Sequence, residues 1–154
     1  MRKLIGAFVL LAACRSRPVT VGSPAPATAN TTTSASGGAA DPASAVRSYL
    51  AAARAQDLQA LSLVWGTRDG SARDHMDRED LEKREVVVVK CLAHDSYDVI
   101  GDAPGLGGSR VFAVSLKNKD LTRTTNLNVV PGPAKRWYVE SVDMTPLQDF
   151  CNKR

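Results

Sequence analysis

Residues 15–40 contain no aromatic, Leu, Ile or Met side chain, and this absence confines any folded core to the residues that follow. The segment consists mainly of Pro, Ala, Thr, Ser and Gly. It cannot bury enough apolar area to offset the entropy of ordering its backbone, so a disordered coil is expected there, with a root-mean-square span of roughly 28 Å. Asn30-Thr31-Thr32 matches a glycosylation sequon, a coincidence to be expected in a Thr-rich stretch. What remains, residues 41–154, is about 114 positions, the size of one domain around one core.

Charge narrows the partners. The chain has 20 basic and 16 acidic residues. Arg2, Lys3, Arg15 and Arg17 all precede Asp41, whereas every acidic residue lies at or after it, so residues 41–154 carry 16 charges of each sign and no net charge. No basic stripe interleaved with aromatics is present, which argues against nucleic acid as a partner.

Ahead of the linker, Arg2 and Lys3 form a positive start, Leu4 to Leu11 a short apolar run, and Ala12-Ala13 a pair of small residues before Cys14. This is the layout of a cleaved export signal; a permanent membrane span needs about 20 apolar residues. Leu11-Ala12-Ala13-Cys14 resembles the lipobox of bacterial lipoproteins. The resemblance implies that residues 1–13 are removed and that Cys14 is the lipid-attachment residue, anchoring the chain to a membrane of the cell envelope. Arg15 stands where an Asp would be the usual inner-membrane retention cue, so the outer membrane facing the periplasm is expected in a Gram-negative cell. Residues 14–40 are then the lipid-anchored linker and residues 41–154 the domain.

Within the domain, helical signals come first. Asp41-Pro42 pairs an N-cap with a proline at the first helical position, and Val46, Tyr49, Leu50 and Ala53 follow at i, i+3, i+4 and i+7. Asp57 offers a second N-cap before a stripe of Leu58, Leu61 and Trp65 that stops at Gly66. The polar segment from Thr67 to Met76, with Asp69-Gly70, reads as a loop. Asp77 opens a third helix, with Asp80 three residues on. Its buried side is expected to hold Leu81, Val88 and Leu92, its polar side Glu82, Lys83, Arg84 and Glu85. Val86 to Val89 leave a strand over residues 86–92 as an alternative, because β-branched residues disfavour helix by tenths of a kcal/mol each.

After Ala93 the pattern changes to strands at Ser96–Asp102, Ser109–Lys117, Leu121–Val130 and Arg136–Asp143, separated by Gly-, Asn- and Pro-rich turns. Short connections imply antiparallel hairpins. The expected fold class is α+β, with N-terminal helices packed on a curved four-stranded antiparallel sheet. The element order, the Asp57-Leu58 helix start, the His94-Asp95-Ser96-Tyr97 exit and the Arg136-Trp137-Tyr138-Val139 strand are together similar to the nuclear transport factor 2-like superfamily. That resemblance, over about residues 41 to 151, implies a conical domain with a cavity between helices and sheet. Some relatives use the cavity for isomerase or cyclase chemistry and many only for binding or assembly.

With Cys14 lipidated, Cys91 and Cys151 remain, and in an oxidising compartment they are expected to form a disulfide. A loop of roughly 60 residues would contribute about 4 kcal/mol on the chain-entropy model. No CxxC spacing supports redox exchange, and neither CxxC nor HxxxH spacing supports a metal site built from these cysteines with His94.

No catalytic residue and no cofactor emerges. His94-Asp95-Ser96 has the residue types of a triad, but sequence neighbours on a turn rarely converge on one reacting atom. Asp74-His75-Met76-Asp77 places a His among carboxylates, where acid–base work is conceivable, although an exposed His beside an N-cap is the plainer expectation. Gly105-Leu106-Gly107-Gly108 precedes a strand, so it lacks the helix dipole of a phosphate loop. Trp65, Phe112, Trp137 and Tyr138 lie in periodic apolar stretches and are expected in the core.

Two functions follow. The favoured one is a membrane-tethered, non-enzymatic binding or scaffold module, with a small apolar ligand or an envelope protein as partner and no oligomeric state implied. A mechanical spacer would instead show a filled interior beside an exposed apolar sheet patch. The rival is a cofactor-free isomerase, dehydratase or cyclase, which needs an acid–base residue buried in the cone. Burial of His75, Asp98, Asp102, Glu140 and Asp143 distinguishes the two.

Overall fold

The computed structural model describes residues 37–152. Cys14, the expected leader and most of the expected linker lie outside the described residues.

Local capping sets the helix boundaries. In α1 (Pro42–Ala55), the Asp41 carboxylate accepts from Ser44 N at 2.8 Å and from Ser44 Oγ at 2.6 Å. The helix ends where Gln56 turns left-handed, and Asp57 at once caps α2 (Leu58–Val64) by accepting from Ala60 N at 2.9 Å. The expected face of α1 is buried: Val46, Tyr49, Leu50 and Ala53.

Thr67–Met76 contains more order than a loop. Gly66–Thr67 (β1) and Gly70–Ser71 (β2) pair around Arg68-Asp69, and a single helical turn, α3 (Ala72–His75), follows. Gly70 takes φ of 137°, a conformation nearly reserved for glycine. Ser71 Oγ donates to Asp74 Oδ2 at 2.6 Å, and Ala72 N to Trp65 O at 2.7 Å. Elements of two to four residues are too short to display a period.

The helical expectation holds for α4 (Arg78–Cys91), where Asp77 accepts from Glu79 N and Asp80 N. The four valines split by helical geometry: Val88 and Val89 are buried, whereas Val86 and Val87 are 54% and 57% exposed. Glu85 departs from the expected polar side. It lies four residues after Leu81 and three before Val88, on the inward stripe that ends at Leu92, and is only 1% exposed.

The sheet is an antiparallel meander of β3 (Ser96–Pro104), β4 (Arg110–Asn118), β5 (Leu121–Pro131) and β6 (Trp137–Val142), in that order. Phe112 pairs with Leu127 and Val129 with Val139. These residues, with Val114 and Leu116, form the inner face, packed in one cluster with Tyr49, Leu50, Leu61, Leu92, Leu147 and Phe150 from the helices and the C-terminal turns. Val99 and Ile100 on edge strand β3 stay exposed, Ile100 as the extra residue of a bulge. The chain closes in a short helix, α5 (Gln148–Cys151), whose Cys151 sulfur lies 2.12 Å from that of Cys91 at the end of α4.

Residues 37–40, expected to belong to the linker, are tied into the fold. Ala39 exchanges two backbone hydrogen bonds with Trp137, at 2.8 and 2.9 Å. Tyr138 Oη donates to Gly37 O at 3.1 Å and the Arg136 guanidinium to Gly38 O at 2.7 Å. The two glycines permit this approach: a Cβ on Gly38, where φ is 78°, would stand 2.7 Å from Tyr138 Cζ. Composition suggested a flexible stretch, but the same small residues let backbone lie against an aromatic ring. Gly38→Ala should therefore destabilise the domain by about 1–3 kcal/mol, read as a lower thermal midpoint; an unchanged midpoint would show that this strap contributes nothing.

Candidate functional site

The space between helices and inner sheet face is filled by the aliphatic and aromatic cluster just described. Side chains that an acid–base site in the cone would need are elsewhere. His75, Asp98, Asp102 and Asp143 are exposed. Asp102 pairs with Arg110 at 2.7 Å, Asp143 accepts from Thr145 N at 3.0 Å, and half-buried Glu140 accepts from Asn128 Nδ2 at 2.8 Å. Of the His94 run, His94 and Asp95 make local contacts, although His94 Nε2 is buried without a hydrogen-bond partner. His94 Nδ1 lies 2.7 Å from Leu92 O, its ring meets Tyr97 edge-on, and Asp95 accepts from Lys119 N at 2.7 Å in the facing turn. Among the described residues no three His, Cys, Asp or Glu side chains cluster as a metal site, and no helix is long and apolar enough to cross a membrane.

Besides His94 Nε2, one other buried side-chain atom among the described residues lacks a hydrogen-bond partner, and it is Oε1 of Glu85. Burial, and secondarily the nearby Glu82 carboxylate, push its carboxyl up to about 7 from an ordinary 4.5. The Tyr49 phenol of α1 is likewise raised beyond its usual range, chiefly by burial and then by the Glu85 charge.

Glu85 lines a cleft of about 280 Å³ between the helices. Gln59 and Ser62 of α2 form one wall, with Ser62 Oγ donating to Gln59 O at 2.9 Å. Arg73 of α3 and Met76 form the second, and Leu81 and Glu82 of α4 the third. Arg78 flanks the rim and donates from Nε to Glu82 Oε1 at 2.9 Å in an exposed ion pair. No strand contributes. Arg73 makes no ion pair among the described residues.

No family model, curated protein or solved structure matches the chain. The site is thus defined by its own chemistry: a carboxyl that keeps its proton to near neutral pH, an unpaired guanidinium, two neutral polar side chains, and an apolar wall of Met76 and Leu81. The signal was present in the helical spacing from Leu81 to Leu92, but a charged residue inside a run of Glu, Lys and Arg reads by composition as solvent-facing.

Because the folded state binds the Glu85 proton more tightly than the unfolded state, this group's contribution to stability is full below about pH 4.5 and is lost as pH rises through about 7. Glu85→Gln removes the titration. The thermal midpoint of the variant minus that of wild type should grow more positive from about pH 5 to about pH 7 and then level off; a difference that does not vary with pH would contradict a raised carboxyl.

Proposed function

We propose that this chain is an envelope lipoprotein, tethered through Cys14 and its linker, whose nuclear transport factor 2-like domain binds a small polar ligand at the Glu85 cleft without transforming it. The tether rests on Leu11-Ala12-Ala13-Cys14 following a short apolar run, and the superfamily reading on helices that precede a four-stranded antiparallel meander. The observation that carries binding is the buried Glu85 Oε1, without a hydrogen-bond partner on a residue that lines an open cleft. A native fold leaves few such atoms without a partner, and an absent ligand is one physical reason for one.

Cofactor-free isomerase, dehydratase or cyclase chemistry has weaker support. Glu85 has the burial that a general acid needs, but the other carboxyl in its cleft, Glu82, is held by Arg78. No histidine lines the cleft. An acid–base pair with separated proton affinities is missing from that wall.

The compartment is tested by intact-mass analysis of the full-length gene product recovered from bacterial membranes and treated with a thiol-alkylating reagent. The expected species begins at an acylated Cys14 and takes up no alkyl group at Cys91 or Cys151 until it is reduced. A cytosolic product that retains residues 1–13, or free thiols at both positions, would contradict the proposal.

A further inference from the structure

The cleft chemistry narrows the ligand, on the premise that the Glu85 cleft is a binding site. Arg78 and Glu82 pair with one another at the rim, which leaves two charged or acidic groups of the cleft without a protein partner: the exposed Arg73 guanidinium, which makes no ion pair among the described residues, and the buried Glu85 Oε1. A simple cation would meet Arg73 as a like charge, and a simple anion would leave Glu85 Oε1 without a donor unless the two shared Glu85's own proton. A molecule bearing both charges meets both demands. Its carboxylate accepts from Arg73 in the forked geometry that guanidinium favours. Its ammonium donates to Glu85, with Ser62 and Gln59 as further neutral partners on the opposite wall.

Size and polarity agree. A volume of about 280 Å³ corresponds to about nine waters at 30 Å³ each, and hence to a ligand on the order of nine non-hydrogen atoms. Met76 and Leu81 offer a short aliphatic group a place to lie. We infer that the cleft between α2, α3 and α4 takes a small aliphatic zwitterion of the amino-acid class, its ammonium on Glu85 and its carboxylate on Arg73. Binding then converts Glu85 from acid to carboxylate, and the displaced proton leaves to solvent. The titratable or charged groups around Glu85 are Tyr49 from α1, Arg73 from α3, and Arg78 and Glu82 from α4 itself; α2 brings only Gln59 and Ser62.

Calorimetric titration of the full chain in detergent with L-leucine, N-acetyl-L-leucine and L-leucinamide tests the assignment. L-leucine is expected to bind. Removing either ligand charge should weaken binding at least tenfold, as should Glu85→Gln or Arg73→Ala, whose thermal midpoints are checked so that loss of fold is not mistaken for loss of affinity. Proton release should accompany binding below about pH 7, with affinity rising about tenfold per pH unit up to that point and level beyond it.

Tighter binding of N-acetyl-L-leucine, with proton uptake and sensitivity to Glu85→Gln, would overturn the zwitterion in favour of an anion that shares the Glu85 proton, and the cleft would remain a binding site. If no probe binds at millimolar concentration to wild type, the zwitterion is overturned. If in addition no small molecule from a chemically diverse set shifts the Glu85 carboxyl resonance, the binding-site premise falls as well.

Discussion

Helix α4 must turn one continuous stripe inward, and that stripe contains a carboxyl. Leu81, Glu85, Val88, Val89 and Leu92 follow helical spacing, so the four apolar members cannot be buried without carrying Glu85 with them. Desolvating an ionised, unpaired carboxylate is far costlier than desolvating its neutral acid, and the group keeps its proton instead. The raised proton affinity, the orphaned Oε1 and the polar cleft over the helix all descend from that constraint.

The surrounding structure leaves α4 little freedom to relieve it. The N-terminus of the helix is set by Asp77. Its C-terminus meets the end of the described chain through the Cys91 and Cys151 sulfurs, and Leu92 lies in the main cluster with Phe150. On the opposite side Tyr49 and Leu50 of α1 bridge to the sheet, whose inner face is aliphatic and aromatic apart from the buried Thr125. Arg110 with Asp102 and Arg123 with Asp149 pair on the surface, whereas the exposed Arg73 and the buried Glu85 line one small cleft and make no ion pair among the described residues.

Much of the fold was legible in the sequence, because several levels agreed. Asp41, Asp57 and Asp77 each stand where a helix begins, and each accepts backbone N–H groups there. The turns at Lys119-Asp120 and Pro131–Pro133 fall between strands of alternating burial, so the order of the sheet followed from short connections. Three features were hidden. The β1–β2 pair and α3 are shorter than any period that could reveal them. Gly37 and Gly38 belong by composition to the linker, yet a Cβ on Gly37 would meet Ser71 and one on Gly38 the Tyr138 ring. Glu85 sits in a charged run, and only the spacing of its apolar neighbours marks it as buried; the cleft also needs Gln59, Ser62 and Arg73 from other elements, which no local pattern brings together.

The most direct measurement is the pH titration of the Glu85 side-chain carboxyl carbon by NMR in the oxidised, ligand-free protein. A midpoint near 7 is predicted, with an ordinary value restored on unfolding. A folded-state midpoint near 4.5 would mean that the carboxyl is solvated or paired, and the account of α4 and its cleft would not stand.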